Sequence, residues 1–107
     1  VKPTICRMVV YRSRTGGYDV PAVVNCTEDS ISEEGVELGH VPPLTGKDHV
    51  HLTVFTPGKP GTAREGNEVN EAQTSGCYQE WDIPPWTGAE EKGEVPEPGT
   101  WRFPVRI

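Results

Sequence analysis

Apolar and polar positions alternate in five short segments of the chain, and long polar stretches separate them. Alternation with a period of two is the mark of a strand with one face buried. In residues 4–12, Ile5, Arg7, Val9 and Tyr11 fall on one face and Cys6, Met8, Val10 and Arg12 on the other. Both faces are partly apolar, as expected of a strand curling inside a small barrel. The run Arg14-Thr15-Gly16-Gly17 predicts a turn, because glycine reaches positive φ at little cost. Residues 18–26 then supply a second strand, hairpinned to the first. Its Pro21 has no N–H to give a ladder and predicts an unpaired edge position. Residues 48–56 alternate most cleanly, with Val50, Leu52 and Val54 opposite His49, His51, Thr53 and Phe55. Residues 76–82 put Cys77, Gln79 and Trp81 on one side. Residues 100–107 put Trp101, Phe103, Val105 and Ile107 on one face and Arg102, Pro104 and Arg106 on the other.

The segments between these strands are polar. Residues 27–46 are acidic and close on Pro42-Pro43, and Ser30-x-x-Glu33 has the spacing of a capping box for a short helical turn. Residues 56–75 are rich in Gly and Pro and have no period. Structureless loops longer than ~12–15 residues are uncommon in compact domains, and those that occur are often binding elements or disordered. Residues 83–99 form another loop, opened by Pro84-Pro85. Together these features predict one all-β domain over residues 1–107, a small, partly open five-stranded barrel of the SH3-like or a related kind with long loops.

Composition agrees and removes alternatives. With 12 Gly and 11 Pro among 107 residues, a helical bundle is excluded. Apolar residues make up 34%, against ~45–50% in an average globular chain, so the core is modest and a homo-oligomer is the expected state. No apolar run reaches the ~18–20 residues that cross a bilayer, and no signal-peptide pattern is present, so neither membrane nor export is expected. Cys6, Cys26 and Cys77 are odd in number and lack CxxC spacing, which predicts free thiols in a reducing cytoplasm.

The net charge of −6 hides an uneven distribution. Glu28, Asp29, Glu33, Glu34 and Glu37 crowd one loop, and residues 80–97 hold six acids against Lys92. Residues 1–14 carry Lys2, Arg7, Arg12 and Arg14 with no acid. Duplex nucleic acid is an unsuitable partner for a chain with a pI near 5.0. A local basic site for a small anion remains open.

Catalytic signatures are missing. The chain has no GxSxG elbow, no phosphate-binding GxxxxGK[ST] loop and no GxGxxG. His49-x-His51 sets two imidazoles on one strand face, but no third and fourth ligand follows at useful spacing. The expectation is therefore a non-enzymatic protein without metal or cofactor, its histidines solvent-facing or paired across strands. The aromatic residues are more informative. Trp101, two residues before Phe103, suits a core, whereas Trp86 in a Pro-Pro-Trp-Thr-Gly loop is harder to bury. An indole face stacks on a planar base, and guanidinium groups grip phosphate in bidentate geometry. The candidate site is Arg7, Tyr11, Arg12, Trp86, Trp101, Arg102 and Arg106, from the first hairpin, one loop and the last strand.

Three blocks also carry a resemblance. Lys2-Pro3-Thr4-Ile5-x-Arg7-x-Val9-x-Tyr11, Val50-x-Leu52-x-Val54-Phe55 and Pro98-Gly99-Thr100-Trp101-Arg102-Phe103-Pro104 resemble the opening, central strand and ending of a widespread group of small phage-encoded proteins. That ending is usually Trp-His-Trp-Pro, and here Arg102 and Phe103 stand in place of the His and second Trp. The resemblance covers about a third of the chain. It implies a phage origin and a compact β fold, and leaves activity open. Two functions fit. One is an accessory module in the host bacterial cytoplasm that sequesters a small anionic, nucleotide-type immune signal. The other is a virion structural protein such as a capsid decoration module.

Overall fold

The computed structural model of the chain describes residues 2–14, 19–55, 76–88 and 92–104. They form strands β1 (Met8–Arg12), β2 (Asp19–Cys26), β3 (Val50–Phe55), β4 (Cys77–Ile83) and β5 (Trp101–Arg102), with one helix, α1 (Glu33–Glu37). The strands make a five-stranded sheet in the order β4-β3-β2-β1-β5, and neighbours run antiparallel. The period-2 pattern places Val9 and Tyr11 on the same face as Val20, Ala22 and Val24, then Val50, Leu52 and Val54, then Ile83 and Trp101. This face is the core.

The sheet curls until its edges touch at one point. The Trp101 amide donates to the Pro84 carbonyl (3.1 Å), and the Trp86 amide donates to the Trp101 carbonyl (2.8 Å). Pro85 and Trp101 thus form a parallel bridge between the chain leaving β4 and the edge strand β5. Among the described residues no ladder joins the rest of these two edges, so the barrel is partly open. Trp101 fills the seam: its ring is buried and its Nε1–H donates to the Asp48 carbonyl before β3 (3.1 Å).

Local backbone chemistry accounts for the departures from the sequence pattern. The first strand starts at Met8 rather than residue 4, because Cys6 takes φ 70° and interrupts the extended run. Its amide still reaches the Val24 carbonyl (2.8 Å). Pro21 lies in β2, an interior strand and not an edge. It is tolerated there because Val24 turns its N–H and C=O to the β1 side, so alternation points the Pro21 nitrogen toward β3, just past the Ala22–Val54 pair where the β2–β3 register begins. The short helix exists, but its cap is Ser32, whose Oγ accepts the Gly35 amide (3.0 Å). Ser30 instead accepts the Thr27 amide (2.8 Å), closing the preceding turn. The predicted turn at residues 14–17 and the loop at 56–75 lie wholly or largely outside the described residues.

Candidate functional site

The β1–β2 register sets Arg12 directly opposite Asp19, and the β1–β5 register sets Arg102 opposite Val10 on the same outer face. The two guanidinium groups therefore converge on one carboxylate. Arg102 grips Asp19 with both terminal nitrogens (Nη1–Oδ1 3.1 Å, Nη2–Oδ2 2.7 Å), and Arg12 Nη1 adds a bond to Oδ1 (3.2 Å). The Arg102 hydrogen bonds hold the Asp19 carboxyl below its usual range, against the opposing effect of burial and with help from Arg12. The Arg102 guanidinium also lies over the Trp86 ring, 5.8 Å from its centroid. Arg12 and Arg102 thus meet at Asp19, and Trp86 lies against Arg102.

The remaining candidates fall elsewhere. Tyr11 and Trp101 are core residues, with 0% and 3% of their surface exposed, so neither offers a ring face to a ligand. Burial, then the nearby Glu80 charge, pushes the Tyr11 phenol well above its ordinary value, although Arg14 pulls the other way. Arg7 sits over Phe103 (5.1 Å), which meets Trp101 edge-on (5.1 Å, 87°). Arg106 lies outside the described residues. Asp19 was missed by the sequence reading. Counting the hairpin outward from Gly16-Gly17 sets Asp19 across from Arg14, two residues short of the observed Arg12 partner, so the sequence marked an acid near the β1 arginines without its register.

Trp86 also walls a pocket of about 430 Å³ shared with Gly88, Glu94, Val95, Glu97 and Thr100. Gly88 packs against two of its walls: a Cβ there would fall 2.5 Å from Trp86 Cζ2 and 2.6 Å from Glu94 Oε2. A second groove, about 370 Å³, runs beside α1, with Ile31, Val36 and Leu44 in its lining and Glu28, Glu33 and Glu37 among them. Its acidic character does not suit an anion.

The two histidines form a separate polar knot. β4 carries an extra residue where the β3–β4 register slips between Val50 and Leu52, and Asp82 there takes φ 55°. The Asp82 amide donates to His51 Nδ1 (3.0 Å), and His51 Nε2–H donates to the Pro42 carbonyl (2.7 Å). An amide can only donate and a carbonyl can only accept, so His51 is the neutral Nε2–H tautomer. His51 is buried here, whereas Thr53 is half-buried and Phe55 exposed. The Asp82 carboxylate accepts from His49 Nδ1–H (2.9 Å) and from the Thr45 amide and hydroxyl (2.9 and 2.7 Å). Burial raises the Asp82 pKa, but the Thr45 and His49 bonds outweigh it and leave the carboxyl below its usual value.

A depressed folded pKa contributes stability above the unfolded carboxylate value, about pH 4, and loses it as pH falls through the folded value. Melting temperatures measured from pH 7 down to about pH 2.5 should therefore fall on the acid side. Asp82→Asn should start lower at neutral pH and fall less steeply. An unchanged acid slope in that variant would show that Asp82 contributes nothing to it.

Among the described residues no helix is long and apolar enough to cross a membrane. Compared with family models, curated proteins and solved structures, the chain matches none of them.

Proposed function

We propose that this chain is a non-enzymatic binding module that captures a small, planar, nucleotide-type anion between Arg12, Arg102 and Trp86. One observation carries the reading: two guanidinium groups already converge on a single carboxylate, Arg102 with both terminal nitrogens and Arg12 with one, beside an indole. That is the grip a phosphate needs, assembled before any ligand arrives. Arg12 Nε adds a buried donor with no acceptor among the described residues. Asp19 is the resting occupant of the grip. A phosphate offers three acceptor oxygens and up to two negative charges, so it can displace a singly charged carboxylate. Trp86 supplies the flat surface for a base.

Capture without turnover is all that sequestration requires. Together with the resemblance to small phage proteins, it supports the reading of a phage accessory protein that withholds a nucleotide-type immune signal in the host cytoplasm. The test is a thermal-shift panel of linear and cyclic nucleotides and pyrophosphate. A ligand at 100 times its Kd adds about 2.7 kcal/mol of stability, a clear rise in Tm. Arg12→Ala should abolish the rise. A flat response to the whole panel at millimolar concentration would remove the proposal.

A further inference from the structure

The groove beside α1 combines an apolar wall with negative charge that the chain does not neutralise. A helix this short draws its stability from packing rather than from propensity, yet α1 buries none of its five residues. Val36 is only half-buried, and Ile31 and Leu44, half-buried as well, share the groove with it. Leu38, just past the helix, leaves 62% of its surface exposed. The lining is mostly apolar and holds no basic residue; its charged members are Glu28, Glu33 and Glu37. Glu33 and Glu37 lie four positions apart on one side of α1, where like charges repel. Glu37 also stands in the last turn, at the negative end of the helix, with no basic residue beside it in that turn. The Lys2 ammonium pairs with Glu28 (4.0 Å) and Asp29 (3.3 Å), but Glu33 and Glu37 make no ion pair among the described residues. Their charges work against the helix that carries them, and an incoming cation would relieve both.

We propose that this groove docks a short basic and apolar segment of another protein. A large aliphatic side chain of the segment packs against Ile31, Val36 and Leu44, and flanking lysines or arginines meet Glu33 and Glu37. Charge complementarity selects this occupant. The glutamates would repel nucleic-acid phosphate and an anionic membrane alike. A two-fold contact between copies of this chain would face each groove with the same acidic set. The groove shares no residue with the arginine pair, and its role does not depend on nucleotide capture.

Fluorescence anisotropy with the intact chain tests this, using a short labelled peptide of leucines interspersed with lysines and arginines. Saturable binding is expected, weakening about tenfold between about 0.05 and 0.5 M salt as the charges are screened. A peptide of equal charge with serine in place of leucine should bind at least about tenfold more weakly, the scale of one leucine left unburied. Glu33→Gln together with Glu37→Gln should weaken the leucine peptide about fivefold, the scale of two screened ion pairs. Both glutamates are exposed and their mutual repulsion is removed, so this variant should melt at or slightly above the wild-type temperature. Amide shifts in an NMR titration should centre on Ile31, Val36 and Leu44. Equal affinity for the leucine and serine peptides would overturn the proposal, leaving only general attraction to an acidic protein. So would shifts confined to other residues, full affinity in the double variant, or no binding of the leucine peptide at millimolar concentration. A stable dimer in sedimentation that Val36→Glu dissociates, with no peptide binding, would assign the groove to a second copy instead.

Discussion

Trp101→Ala is expected to cost about 3–5 kcal/mol, the range for truncating a buried aromatic to alanine. A chain of this size has roughly 5–15 kcal/mol in total. Trp101 has 3% of its surface exposed and joins three parts of the fold. Its backbone pairs with Tyr11 of β1 and bridges to Pro84 and Trp86, its indole nitrogen reaches the Asp48 carbonyl, and its ring takes the edge of Phe103. Removing the ring leaves a cavity where the two sheet edges meet among the described residues, and an Asp48 carbonyl without its donor. Tm should drop by roughly 15–30 °C. Trp101→Phe keeps most of the packing and loses the Nε1 bond, so about 1–2 kcal/mol is expected. Chemical denaturation of both variants checks the pair. Melting of Trp101→Ala within a few degrees of wild type would show that the seam does not depend on this side chain.

Asp19→Asn should move stability and ligand affinity in opposite directions. The carboxylate neutralises two guanidinium groups, and the amide cannot, so the folded state weakens. Asp19 is 42% exposed at its side chain, and solvent screening limits that loss to about 1 kcal/mol. The same substitution removes the competitor for the arginine pair. Pyrophosphate and nucleotide affinity should rise about tenfold, equivalent to roughly 1.4 kcal/mol. Arg12→Ala loses both stability and affinity. If Asp19→Asn weakened phosphate binding, the carboxylate would be part of the ligand's support and not its rival.

Much of this architecture is written in the alternation of side chains. Val9 and Tyr11, Val50, Leu52 and Val54, and Trp101 all face inward as their spacing requires, because a period of two leaves each strand only one way to bury its apolar set. All-β class, strand number and the first hairpin followed from that. Alternation is silent wherever the ladder slips. His51 shares its strand face with Thr53 and Phe55, yet it is buried, because the Pro42 carbonyl and the amide of the bulged Asp82 close on its ring. Ser30 and Ser32 both offer a hydroxyl near α1, and only the path of the preceding turn assigns the cap to Ser32.

The candidate site divides along the same line. Residue type alone marked the arginines and tryptophans as able to hold a flat anion, since guanidinium and indole chemistry does not depend on the fold. Which of them meet was decided by tertiary structure. Strand register puts Arg12 and Arg102 on one outer face and sends Tyr11 and Trp101 inward, and the bridge at Pro85 carries Trp86 to Arg102. Asp19 faces Arg12 across one hairpin, but its meeting with Arg102, like the approach of the glutamates to the indole, joins distant segments and is a property of chain closure, which no local pattern encodes.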